Sequence, residues 1–179
     1  MKLSPIEKML FIADLQDLLQ SEHIYKMNLY IQHGKTTTFT HCLVVAYYSY
    51  WLSLHLPFHL DRKSVARGAL LHDFYLYDWH IPHESHRLHG FYHPGFALKN
   101  AKRYFNLNDT ETDIIKNHMW PLTLTSMPHN REAALVCIVD KICSLAETLH
   151  ISILPKDYPR LKKTVLKMRR TQTILPSLS

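Results

Sequence analysis

The stretch Ala69-Leu70-Leu71-His72-Asp73 carries an apolar run straight into an adjacent histidine and aspartate. Burying an unpaired carboxylate is very costly, so the run admits only folds that give this dyad a partner. For a lone pair, a hydrogen bond between the two at a helix end is the commoner outcome. A divalent metal is the other solution, because neutral imidazole and carboxylate are both good ligands. The dyad is not alone. His41 precedes it, and His93, His118 and Asp140 follow, each on a segment that reads as a helix or its start.

Hydrophobic periodicity places these residues. Ser4-Pro5 opens a helix over about 5–20, with a capping residue ahead of proline at the first helical position. A second helical stretch is expected over about 22–32, broken by His33-Gly34-Lys35. In the next helix, about 40–55, Val45, Tyr48 and Leu52 share the face of His41. A core histidine would show the same spacing, so this alone does not distinguish a ligand. Asp61 caps a helix over about 62–76, where Val65 and Ala69 share the face of His72, and Ala66 and Leu70 that of Asp73. Adjacent helical residues diverge by about 100°, so both can reach one ion only if it lies over the arc between them.

Residues 77–95 are irregular, interrupted by Pro82, Gly90, Pro94 and Gly95, and crowded with His80, His83, His86, His89 and His93. They read as a loop or lid beside the site. Asn108-Asp109-Thr110-Glu111 starts a further helix in which Ile114 and Ile115 bring His118 inward. Trp120-Pro121 ends it. In the helix 130–149, Ala133, Val136 and Cys137 share the face of Asp140, which therefore needs a partner; Glu147, further along that face, either supports the ligands from behind or is an exposed carboxylate at the helix end, the plainer reading. A last helix, about 157–170, turns Leu161, Val165 and Met168 to one side.

The ordered set His41, His72-Asp73, His93, His118, Asp140 resembles the HD superfamily of metal-dependent phosphohydrolases, in its six-ligand, two-metal form. The resemblance runs from about residue 33 to 150. It implies an all-α, single-domain helical bundle of about six to eight helices across residues 1–179. It also implies a cofactor of two divalent transition-metal ions, iron or manganese first, with zinc, cobalt or nickel as alternatives. His41, His72, Asp73 and Asp140 would surround one ion. His93 and His118 would bind the second, with Asp73 bridging and His72-Asp73 as the catalytic dyad. His93 is the expected ligand because His93-Pro94 begins a helix over 95–105, with His89 as the alternative.

The implied reaction is hydrolysis of a small phosphorylated compound or nucleotide by metal-activated water, which requires no serine or cysteine nucleophile. Lys141, Lys116, Lys35 and Arg131 are candidate phosphate contacts, and Trp79, Trp120 and Tyr75 candidate base-stacking groups. One position departs from the family. Many hydrolytic members carry lysine three residues after the dyad's aspartate, where this chain has Leu76. The alternatives are a di-iron oxygenase on the same ligand frame and a non-catalytic module that binds nucleic acid or protein.

Composition excludes other classes. With 3 cysteines and no C-x-x-C, neither a disulfide frame nor a zinc-cysteine cluster is expected, and 4 glycines leave no phosphate loop. The longest apolar run, Leu43–Leu54, is too short to span a bilayer, and the N-terminus lacks a signal peptide's apolar core. No membrane partner and a cytoplasmic location are therefore expected. The formal net charge of +6 resides in residues 155–170, where 7 basic residues face Asp157. This makes the C-terminal helix either a solvated face or a nucleic-acid contact. Oligomeric state is left open.

Overall fold

The structure, a computed structural model, describes residues 1–81 and 88–172, with side chains as far as Arg169. His83 and His86 of the expected lid lie outside the described residues. Among these residues the chain is all-α apart from one short hairpin. Its elements are α1 (Pro5–Asp14), α2 (Gln16–Gln20), a 3₁₀ helix (Glu22–Leu29), β1 (Ile31–His33), β2 (Thr36–Thr37), α3 (Thr38–His55), α4 (Arg62–Leu71), α5 (His89–Tyr104), α6 (Asp109–Asn117), α7 (Arg131–Thr148) and α8 (Tyr158–Gln172).

Capping fixes most boundaries. Ser4 and Glu7 form a capping box on α1, and Asn108 and Glu111 form another on α6. The Thr37 hydroxyl accepts from the Thr40 amide, so α3 begins two residues earlier than periodicity suggests and carries His41 in its first turns. Asp61 accepts from the Ser64 amide and starts α4.

Four expected elements change. The helix over 5–20 breaks at Leu15 into α1 and α2. The helix over 22–32 is a 3₁₀ turn followed by β1, which pairs antiparallel with β2 across a turn where Gly34 has φ +56°. That left-handed conformation costs glycine nothing and closes the hairpin. The helix over 62–76 stops at Leu71, leaving His72 as its C-cap and Asp73 in a turn. Finally, α5 begins at His89 and not at His93-Pro94, and it absorbs Pro94 internally near its start.

One contiguous hydrophobic core runs from Leu3 through α3, α4 and α6 to Leu161 and Val165 of α8. The pairs α3–α4, α4–α6, α3–α7 and α6–α7 are in contact, so these four helices surround one interior. Gly68 makes the α4–α6 approach possible, because a Cβ there would lie 2.6 Å from Ile114 Cδ1. This close crossing brings the C-terminal ends of α4 and α6 together, and with them the His72 and His118 rings, 4.8 Å apart. The three cysteines are free and buried, as expected. Among the described residues no helix is long and apolar enough to cross a membrane. On α8, Leu161 and Val165 face the core while Arg160, Lys162 and Lys163 are exposed.

Candidate metal centre

All six expected ligands meet at the interior where α3, α4, α5, α6 and α7 converge. Each is nearly or wholly buried. His41 Nε2 lies 3.1 Å from Asp140 Oδ1 and 4.0 Å from Asp73 Oδ2. His72 Nε2 lies 3.3 Å from Asp73 Oδ2 and 3.5 Å from Asp140 Oδ1. On the opposite side, His93 Nε2 and His118 Nε2 are 3.0 Å and 3.4 Å from Asp73 Oδ1, and 2.8 Å from each other. Two groups with metal-ligand spacing result, His41/His72/Asp73 and Asp73/His93/His118, with Asp73 common to both.

Hydrogen bonding sets the tautomer of every ring. The Nδ1 atoms of His72, His93 and His118 lie 2.8, 2.8 and 2.9 Å from the backbone carbonyls of Ala69, His89 and Ile115. A carbonyl only accepts, so each Nδ1 carries the proton and each neutral Nε2 presents a lone pair. His41 does the same against a carboxylate, with Nδ1 3.0 Å from Glu147 Oε2. Four imidazole lone pairs and two carboxylates, all acceptors, thus face a common interior. His93 and His118 point lone pairs at each other, and His72 Nε2 and Asp73 Oδ1 are buried with no hydrogen-bond partner among the described residues. An acceptor-only cluster is stable only around a cation. Mixed imidazole and carboxylate suit a divalent transition metal, and imidazoles anchored through their other nitrogen are the usual metal ligands.

When protons alone fill the cluster, the carboxylates draw them onto the rings. Burial opposes charge on His41, but its bonds to Asp140 and Glu147 prevail and push it up to about 10. Burial likewise opposes charge on His72, and the Asp73 carboxylate beside it holds its pKa well above the usual value. His118 goes the other way: burial, only partly offset by Asp73, pulls it down to about 4.

Sequence reading missed two residues that hold this arrangement. Gln32, buried on β1, donates from Nε2 to Asp73 Oδ2 at 2.6 Å, while its Oε1 accepts from Tyr75 Oη at 2.5 Å and from Thr38. Glu147 is buried against His41 and is not an exposed helix-end carboxylate; its place about two turns beyond Asp140 on the same face was the available signal. Tyr75 is therefore a buried hydroxyl donor and not a stacking group.

The remaining expectations divide by place. A cavity of about 340 Å³ opens onto the centre and is lined by Gln32, His33, Trp79, His89, Lys141 and Ser144 together with Asp73, His93, His118 and Asp140. Lys141 Nζ is 2.9 Å from Asp140 Oδ2 and 2.7 Å from the His118 carbonyl. Trp79 stacks on His89, which stacks on His93, so His89 walls the cavity while His93 turns its Nε2 to Asp73. Lys116 is exposed on α6 and lines no part of this cavity. Trp120 lines a separate apolar groove, Lys35 another cavity between the hairpin and the segment after α7, and Arg131 stacks over Phe58. Leu76 packs against the core with φ 61°, so this position supplies no cation to the site.

An all-α bundle that gathers histidines and aspartates at its centre defines a metal-binding helical domain. The HD domain family model matches residues 38–145, a span that contains all six residues. The chain belongs to the HD domain family, the superfamily of metal-dependent phosphohydrolases. Neither the curated proteins nor the solved structures give a match.

Proposed function

We propose that this HD domain is a two-metal phosphohydrolase acting on a small phosphorylated compound or nucleotide. The observation that carries the reading is the division of Asp73, whose Oδ2 faces His41 and His72 while Oδ1 faces His93 and His118. His41, His72, Asp73 and Asp140 would hold one ion, and Asp73, His93 and His118 would hold the second. When bound, iron, manganese or another divalent transition metal supplies Lewis acidity and an acidified water.

The chain's own groups do the rest. Gln32 fixes the bridging carboxylate by donating to Oδ2. Glu147 and three backbone carbonyls hold the four Nδ1 protons outward, so every Nε2 stays available. Lys141 places a cation at the cavity rim and takes the part of the family lysine that Leu76 lacks. Trp79 and His89 form an aromatic wall against which a nucleobase or other planar group can lie.

The experiment is a panel of nucleotides and sugar phosphates with manganese, iron or cobalt, run on wild type and on His93→Ala and His118→Ala. Metal-dependent phosphate release, lost in both variants, is expected. A second reading rests on Leu76, since a site without the hydrolytic lysine also suits a di-iron oxygenase. Oxygen consumption by the iron-loaded protein, with no phosphate released from any substrate, would replace the hydrolase reading.

A further inference from the structure

The outward face of α7 is apolar over three turns. Ile138, Ile142, Leu145 and Leu149 are 60, 61, 62 and 59 % exposed. Their spacing of four, three and four residues is the heptad pattern by which one helix seats against another. The strip continues onto the loop before α7, where Leu124 and Met127 are 78 and 58 % exposed. Between loop and helix runs a groove of about 450 Å³, lined by Trp120, Met127, Ile138 and Ile142 among others. On this face of α7 no acidic side chain interrupts the strip, and Arg131 closes its N-terminal end.

We infer that this face joins two copies of the chain through an antiparallel α7–α7 contact. Size favours a second copy. A leucine or isoleucine side chain offers on the order of 100 Å² of apolar surface and a tryptophan about 200 Å², so the strip with its loop and Trp120 exposes about 450 Å². A standard interface takes about 800 Å² from each partner, about 65 % of it apolar in homodimers, which is close to the same figure. Charge sets the direction. Centring the contact between Ile142 and Leu145 seats Ile138 of one copy against Leu149 of the other. It also keeps the two Arg131 side chains apart, at opposite ends of the pair. A parallel pair would set the two Arg131 side chains together.

The contact also bears on the site. Lys141 lines both the apolar groove and the cavity over the metal centre, so pairing covers the outer wall of that cavity without touching a ligand.

The test is sedimentation of the intact metal-loaded protein at tens of micromolar, for wild type and for Ile142→Glu with Leu145→Glu. A wild-type dimer and a monomeric variant with unchanged circular dichroism and melting temperature are expected. Because both positions are about three-fifths exposed, the substitutions leave the core intact. Orientation is read by oxidative cross-linking. Ile138→Cys combined with Leu149→Cys should form an intermolecular disulfide, and Ile138→Cys alone should not. A wild-type monomer at these concentrations, or a dimer that survives both glutamates, overturns the proposal.

Discussion

Two buried aspartates of this chain meet opposite surroundings. Asp113 on α6 is surrounded by donors. Its Oδ2 accepts from the His129 and Asn130 amides at 2.9 and 3.0 Å, and its Oδ1 from Asn117 Nδ2 at 2.6 Å, with His129 Nδ1 at 2.9 Å. Asp73 accepts one bond from Gln32 and otherwise faces the lone pairs of His72, His93 and His118. Both carboxyls sit below the usual range. Burial pushes Asp113 up, but its His129 and Asn117 bonds prevail. For Asp73, where protons alone fill the cluster, burial is outweighed first by the charge drawn onto His72. A carboxylate completed by its own chain is architecture, here tying the loop before α7 to α6. One left short of donors is a place for a ligand.

The sharpest way to break this contrast is to remove each carboxylate. Asp73→Ala should lower bound metal to background and activity by at least about 1,000-fold, because the shared ligand of both groups is gone. Elemental analysis and circular dichroism check it, with the helical signal unchanged. Asp113→Ala should do the reverse. It strands the loop donors and costs about 2–3 kcal/mol in urea unfolding, while metal content per folded molecule stays at the wild-type level. Equal metal loss in both variants would erase the distinction.

Gln32→Leu tests the side-chain donor to Asp73 found among the described residues. Metal affinity should fall about 10–100-fold in chelator competition, as for other residues that orient a ligand, with little change in melting temperature.

The smallest effect is in pH. Asp113 has a depressed folded pKa, so its stabilisation is present above the unfolded value of about 3.9 and is lost as pH falls through the folded one. The stability gap between wild type and Asp113→Ala, both metal-free, should therefore narrow below about pH 4. His41 carries the opposite sign. Raised to about 10, its protonation stabilises the metal-free fold fully below about 6.5 and ceases to do so as pH rises through 10. Metal must displace that proton, so binding at neutral pH should release protons and tighten as pH rises, as calorimetry in buffers of different ionisation enthalpy will read.

The local signals were strong where a turn or two of chain encodes them. Asn108 with Glu111, Asp61 with Ser64, and the apolar spacing around His41, His118 and Asp140 depend on neighbours three or four residues away, and these three residues turned inward accordingly. Reading failed where local preference yields to packing. Periodicity through Tyr75 suggested a helix, yet α4 ends at Leu71, so His72 and Asp73 reach the interior from a cap and a turn and not from two helical faces.

The sequence by itself thus determined the helical bundle and the inward polar set, because periodicity and capping are short-range. Only the tertiary structure decided which lone pairs oppose each other, that Gln32 holds Asp73 across 41 residues, and that Glu147 holds His41 across 106. Such contacts depend on the α4–α6 approach at Gly68 and on the hairpin that carries Gln32, and no local pattern encodes the distance between helices.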